Sequence, residues 1–134
     1  MFSAVAEQMG LDYQTAVKIS AGFGGGMMLG SVCGAVTGAI MAIGLKRGGV
    51  GMESGMAIGK SVRDFTDRFK AQYKSVNCVD LTGFDPSKID FNKPEVLAEM
   101  YKTAQAKNQF GACVGYVKDA TKIVTEILNG APKA

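Results

Sequence analysis

The residues between Lys18 and Lys46 constrain the fold more than any other segment, because none of these 27 side chains carries a charge. Glycine recurs in this stretch at every fourth position, at Gly26, Gly30, Gly34 and Gly38. Cys33 lies in the middle of the stretch. A run this long without charge is typical of a membrane span, a buried central helix or the floor of a site.

Length alone is compatible with a membrane span, since a helix from residue 27 to residue 45 would reach about 28 Å. The composition argues against it. Each glycine in a helix interior costs about 1 kcal/mol, and the segment also contains Ser31, Cys33 and Thr37. No aromatic belt flanks it. Small residues four apart also allow close helix packing outside a membrane, so a membrane span is not expected and the stretch is predicted to form a buried helix.

The composition excludes several functional classes. The chain has 134 residues, which predicts one domain over residues 1–134, and it has no histidine and no tryptophan. Histidine-based hydrolase triads, haem attachment through CxxCH and HExxH zinc sites are therefore excluded. The net charge of +3 comes entirely from residues 60–134. The basic residues of this segment alternate with acidic ones, so we expect no nucleic-acid partner.

The N-terminal sequence MFSAV lacks the basic region and the apolar run of a signal peptide. This predicts a cytoplasmic, reducing location. Cysteines in such a compartment are more often catalytic, redox-sensing or metal-binding than structural.

Helical patterns cover most of the chain and predict an all-α bundle of four or five helices, with a glycine-rich loop before the central helix. A first piece covers residues 2–9, and Asp12 caps a second helix that ends near Ala21. In that second helix Ala16, Val17 and Ile19 are expected to face inward. Gly22 to Gly26 are predicted to form the loop, and the central helix to begin between residues 28 and 31 and end at Leu45.

The second half of the chain predicts three more helices. Residues 55–73 have apolar positions at a helical spacing, namely Met56, Val62, Phe65, Phe69 and Tyr73. Residues 75–93 are expected to be irregular, and residues 94–107 to form a helix opened by Pro94. A last helix covers residues 112–128 with Cys113, Val117, Ala120, Val124 and Ile127 on one stripe. Residues 131–134 are predicted to be a frayed tail.

The three cysteines, Cys33, Cys78 and Cys113, lie in three different segments, so any shared site must be assembled by the fold. Cys33 is predicted within the first turns of the central helix, where unpaired backbone N–H groups and the helix dipole favour a thiolate. The alternative is that the cysteines only fill the core, because free cysteine is among the most buried residue types.

The cysteine segments resemble a known family. Residues 20–27 and the run from Cys33 to Ala39 resemble the glycine loop and the CGAxxGA segment of the redox-active protein family named for its C-GCAxxG-C-C signature. Two further blocks occur in the family's order, one around Asn77 and Cys78 and one around Cys113. The resemblance covers nearly the whole chain, although residues 33–35 read Cys-Gly-Ala where the family name reads Gly-Cys-Ala.

The resemblance implies a thiol site made of Cys33, Cys78 and Cys113, with Gly34 and Gly38 as packing residues. The family has four cysteines, and the first would align a few positions before Met1. Either the start codon is misassigned or this chain has lost that cysteine. The family signature names no substrate.

Three hypotheses follow for the function. The first is a thiol redox protein that works with a redox partner protein, in which Cys33 is the most activated thiol and Cys78 or Cys113 resolves it through a reversible disulfide. The second is that the same three thiolates bind a metal ion or an iron-sulfur cluster, with one position left open. The third is a structural helical module with buried cysteines. The basic helix and the glycine ladder favour a homo-oligomer.

Overall fold

The structure is a computed structural model that describes residues 1–130, and the predicted tail at 131–134 lies outside the described residues. It is all-α, as predicted, and the described part has no strand beyond one isolated bridge. Its helices are α1 (Phe2–Ala6), α2 (Tyr13–Ser20), α3 (Gly34–Arg47), α4 (Met52–Tyr73), α5 (Cys78–Thr82), α6 (Pro94–Ala106) and α7 (Gly111–Leu128). Short 3₁₀ helices occupy Glu7–Met9, Ala21–Phe23 and Pro86–Lys88. Of the seven α-helices in the described residues, five have eight residues or more, in agreement with the predicted number.

The core lies where α3, α4 and α7 pack against one another. Phe65 and Phe69 of α4 are completely buried there, together with Ile43 of α3 and Val124 of α7. The rings of Phe65 and Phe69 stack with centroids 5.9 Å apart. Burying an aromatic side chain contributes roughly 1.5–3 kcal/mol, so this three-helix contact holds the rest of the molecule in position.

The uncharged stretch does form a buried helix, α3, with six buried residues. In residues 1–130, no helix combines the length and the apolar character needed to cross a membrane. The predicted start of this helix is wrong, since α3 begins at Gly34 and not between residues 28 and 31. The reason is tertiary: Val32 is extended and forms an antiparallel bridge with Asn77, so the chain cannot be helical there.

The glycine-rich segment consists of short turns and not of one open loop. Gly25, Gly26, Met27 and Met28 all have φ near +60°, a conformation that favours glycine and is uncommon for methionine. A Cβ atom on Gly26 would lie 2.4 Å from the carbonyl oxygen of Ser31, so a larger residue does not fit. This turn brings the chain into the bridge that precedes α3.

Gly38 has a packing role inside α3. A Cβ atom on Gly38 would lie 3.0 Å from the backbone nitrogen of Phe2 and 3.2 Å from Cβ of Met1. The missing side chain therefore allows the start of α1 to lie directly against α3, as the glycine spacing indicated.

Several sequence-based expectations are wrong in detail. Val17 and Ile19 are 40% and 53% exposed, because only the Ala16 face of α2 packs on the core. Met56 is 58% exposed, since α4 meets the core through Ser61, Phe65 and Phe69. The segment expected to be irregular contains α5, a five-residue helix that starts at Cys78.

Candidate functional site

A short antiparallel pairing places Cys33 beside Cys78. The backbone N–H of Cys33 donates to the carbonyl oxygen of Val76 at 2.7 Å. The backbone N–H of Cys78 donates to the carbonyl oxygen of Ser31 at 2.6 Å. Val32 and Asn77 form the bridge between these two hydrogen bonds. Each cysteine follows a bridge residue, so the two side chains are diagonal neighbours on one face, with Cα atoms about 7–8 Å apart in such a ladder.

Both cysteines also lie at the start of a helix. Cys33 is the N-cap residue of the 14-residue α3, and its carbonyl oxygen accepts from Val36 at 2.9 Å and Thr37 at 3.0 Å. Its side chain makes no capping hydrogen bond. The free N–H groups at a helix start carry partial positive charge. The structure therefore moves Cys33 from the predicted first turns to the cap, where a thiolate would interact with those N–H groups.

Cys113 is the third thiol of the site. It is the third residue of α7, it is half-buried, and its helix packs along α3. Burial raises the pKa of the Cys113 thiol, and the negative charge of Cys33 and of Cys78 raises it further. The two other thiols are thus close enough to interact with Cys113 electrostatically. The structure brings the three predicted cysteines into one neighbourhood.

Cys78 has a different balance of effects. Burial raises its pKa, the nearby Thr82 hydroxyl lowers it, and the charge of Cys33 raises it. The Thr82 oxygen lies 3.9 Å from the Cys78 sulfur and also donates to the Cys78 carbonyl at 2.8 Å. Since burial is the largest of these effects, Cys78 favours its neutral thiol form more than an exposed cysteine does.

Sequence reasoning missed Thr82 and Tyr116 as residues of this site. Tyr116 is 8% exposed, donates its hydroxyl to the Leu81 carbonyl at 2.8 Å, and has its pKa raised by burial and then by the charges of all three cysteines. Residues three or four positions apart share one face of a helix. Cys113 and Tyr116 have this spacing on a predicted helix, which is the signal that would have found Tyr116. Cys78 and Thr82 have it on α5, which was not predicted, so Thr82 had no such signal.

A small cavity lies against two of the thiols. Its volume is about 170 Å³, and Cys78 and Cys113 both line it. Most of the remaining wall is apolar, formed by Met28, Phe84, Pro86, Ile89, Phe91 and Phe110. The fold therefore gives the cysteine site an adjoining apolar space, which sequence reasoning also missed because its walls come from four separate segments.

All three cysteines are free thiols, and Cys33 and Cys78 are each 7% exposed. Within residues 1–130, no group of three or more His, Cys, Asp or Glu side chains has an arrangement that could hold a metal ion. The metal-binding role of Cys33, Cys78 and Cys113 stays a prediction.

The fold and the site together define an all-α protein with two buried thiols, Cys33 and Cys78, and a half-buried third, Cys113. The chain belongs to the family described as "Putative redox-active protein (C_GCAxxG_C_C)", which matches residues 1–127. The family that the cysteine segments resemble is thereby confirmed, and with it a general redox role. Comparisons with curated proteins and with solved structures found no match.

Proposed function

We propose that the protein is a thiol redox protein in which Cys33 and Cys78 form a reversible disulfide. The observation that carries this proposal is the pair of backbone hydrogen bonds between residues 31–33 and 76–78. They fix the two cysteines as diagonal neighbours on one face. A disulfide needs Cα atoms about 4.4–6.8 Å apart, so an approach of about 1 Å from the usual diagonal spacing closes the bond.

The two thiols have complementary environments for this chemistry. Cys33 is the N-cap residue of α3 and lies beside the free N–H groups at that helix start. For Cys78, burial is the largest effect on the pKa and raises it. On oxidation the two S–H bonds break, one S–S bond forms, and two electrons and two protons leave to an acceptor; reduction reverses this. We therefore assign to Cys33 the attack on the Cys78 sulfur once Cys78 is part of a mixed disulfide.

Cys113 is the third thiol and not a member of the proposed pair. Among residues 1–130, no backbone hydrogen bond connects it to the segments of Cys33 or Cys78, and its helix α7 packs on α3. It is positioned to exchange with a disulfide at Cys33, whose charge affects its pKa more than that of Cys78 does. The alternative pairing is Cys33 with Cys113, and the experiment must distinguish it from the proposed pairing of Cys33 with Cys78.

The test is thiol counting after mild oxidation with diamide, followed by peptide mapping. Wild-type protein should lose two of its three free thiols and yield one cross-linked peptide pair that contains Cys33 and Cys78. Cys113→Ser should lose both remaining thiols, whereas Cys33→Ser and Cys78→Ser should keep theirs. A cross-link between Cys33 and Cys113 would overturn the pairing, and three free thiols in the oxidised wild type would overturn the function.

Two further features belong to this proposal. A redox partner protein would supply or accept the electrons, and the basic residues of α4 would suit self-association, whereas Gly38 is already occupied by packing against α1. Light scattering at several concentrations measures the mass directly. A monomer mass throughout would reject self-association without affecting the thiol chemistry.

A further inference from the structure

The cavity beside the cysteines has the volume of a ligand with one ring. It measures about 170 Å³, and an apolar cavity of about 150 Å³ in another protein holds benzene. Its inner wall is firm, since Phe84, Pro86 and Ile89 are all buried. The rings of Phe84 and Phe110 pack edge to face with centroids 5.0 Å apart, so together they form a continuous aromatic part of the wall.

The cavity also has a defined opening and a defined inner contact. Met28, Phe91 and Tyr101 line it and are 37%, 53% and 47% exposed, so they form the mouth. Cys78 is 7% exposed and lies on the buried side. A molecule that enters past the mouth therefore meets the Cys78 thiol before it meets Cys33, which does not line the cavity.

Charge is absent from this wall. None of the described residues that line the cavity is Asp, Glu, Lys or Arg. Burial raises the pKa of both thiols that line it, which favours their neutral forms. A charged guest would lose its hydration without gaining a partner, which costs several kcal/mol.

We propose that this cavity is the substrate site of the protein and that it binds a neutral organic disulfide through a single apolar ring, next to Cys78. The inference rests on the proposed Cys33–Cys78 couple and adds the class of its substrate. The cavity selects for the absence of charge and for a group of one-ring size, and it selects against charged peptide disulfides.

The exchange balances without any further reactant. The Cys78 sulfur, after losing its proton, attacks the substrate disulfide, whose S–S bond breaks and releases one organic thiol with that proton. Cys33 then attacks the Cys78 sulfur in the mixed disulfide. The second organic thiol leaves with the Cys33 proton, so the protein is oxidised by two electrons and the substrate is reduced to two thiols.

The experiment compares two coloured aromatic disulfides of similar architecture. Dipyridyl disulfide is neutral at neutral pH, whereas dithiobis(nitrobenzoate) carries two carboxylates. Each rate is measured on the folded, reduced protein and divided by its rate on the urea-unfolded chain, which removes the difference in intrinsic reactivity. The normalised preference for the neutral reagent should be about tenfold or more, within the range of discrimination that apolar pockets achieve. A ratio near one would overturn the proposal.

Matched variants locate the effect in the cavity. Ile89→Phe adds a ring to the buried wall and should abolish the preference while all three thiols remain. Val114→Phe adds the same ring at a position that is 75% exposed on α7 and should leave the preference unchanged. Equal behaviour of the two folded variants would contradict the assignment.

A measurement on unmodified protein keeps the test decisive if Ile89→Phe fails to fold. Benzene, which cannot react with thiols, should lower the rate at which dipyridyl disulfide reacts with the protein. The rate with dithiobis(nitrobenzoate) should not change. Absence of competition would reject the cavity as the site. If diamide forms the Cys33–Cys78 disulfide but neither selectivity nor competition is seen, this inference fails and the redox function stands. If benzene competes but no disulfide forms, the redox function fails.

Discussion

Reduction of the proposed Cys33–Cys78 disulfide should lower the free energy of unfolding by an amount that follows from the fold. The bond would close a loop of 46 residues, counting both cysteines. Loop-closure entropy for that length predicts a stabilisation of about 4 kcal/mol at 25 °C, because the cross-link restricts the unfolded chain.

Strain in the folded state reduces this value. Diagonal neighbours on an antiparallel ladder have Cα atoms about 7–8 Å apart, while a disulfide needs about 6.8 Å or less. The segments around Ser31 and Val76 must therefore move slightly, against the two short backbone hydrogen bonds that hold them. We expect a net stabilisation of about 2–4 kcal/mol, the usual range for a disulfide.

The same quantity sets the redox behaviour. Stabilisation of the oxidised fold makes the couple harder to reduce than the same two cysteines in the unfolded chain. For a two-electron couple, about 30 mV corresponds to 1.4 kcal/mol, so the potential of the folded protein should be about 40–90 mV lower.

Urea unfolding of oxidised and reduced protein, followed by circular dichroism, measures the difference. Cys113→Ser is the matched control and should keep the full difference, since all members of the proposed loop remain. Cys33→Ser should show none. Equal stability of the two wild-type forms would exclude a stabilising Cys33–Cys78 disulfide, and loss of the difference in Cys113→Ser would assign the bond to Cys113.

Three further predictions concern packing and pH. Gly44→Ala should raise the free energy of unfolding by about 1 kcal/mol, because the added Cβ meets nothing within 4 Å. Gly38→Ala should be about 1–3 kcal/mol less stable than Gly44→Ala, because its added Cβ meets the Phe2 backbone. Equal urea midpoints of the two variants would contradict this. The rate at which iodoacetamide alkylates Cys78, followed by peptide mass spectrometry, should reach its midpoint at a higher pH in the folded protein than in the urea-unfolded chain, since burial raises the pKa of this thiol. Coincident pH profiles would count against it. The hydrogen bond to Asp119 raises the pKa of Tyr73 to about 12 from an ordinary 10. The contribution of this hydrogen bond to stability is therefore complete below pH 10 and is lost as pH rises through about 12. Tyr73→Phe should remove that part of the pH dependence of unfolding, and an unchanged pH profile would contradict this assignment.

The helices of this protein are predictable from the sequence because their signals are local. Pro94 opens α6, and the stripe that includes Ala120 and Val124 is buried along α7, as its spacing indicated. The start of α3 was not predictable, because Gly34 follows an extended Val32 that is held by Asn77 from a segment 45 residues away. α5 was not predictable either, because five residues are too few to show a helical period.

The candidate site divides along the same line. The identity of its three thiols follows from the sequence, since only three cysteines are present and their segments match one family. Tyr116 lies on the same predicted helix as Cys113 and has a local signal, whereas Thr82 depends on α5, which no local pattern indicated. The cavity has none, because Met28, Phe84 and Phe110 meet only after the chain has folded.

An all-α chain, a buried uncharged helix and three candidate thiols therefore follow from local patterns. Helix periodicity, glycine spacing and the family's cysteine pattern are all properties of short sequence segments. Which thiols are neighbours, and what adjoins them, depends on tertiary contacts. An antiparallel bridge between residues 32 and 77, and the packing of α7 on α3, are contacts between distant segments, whose partners no local pattern names.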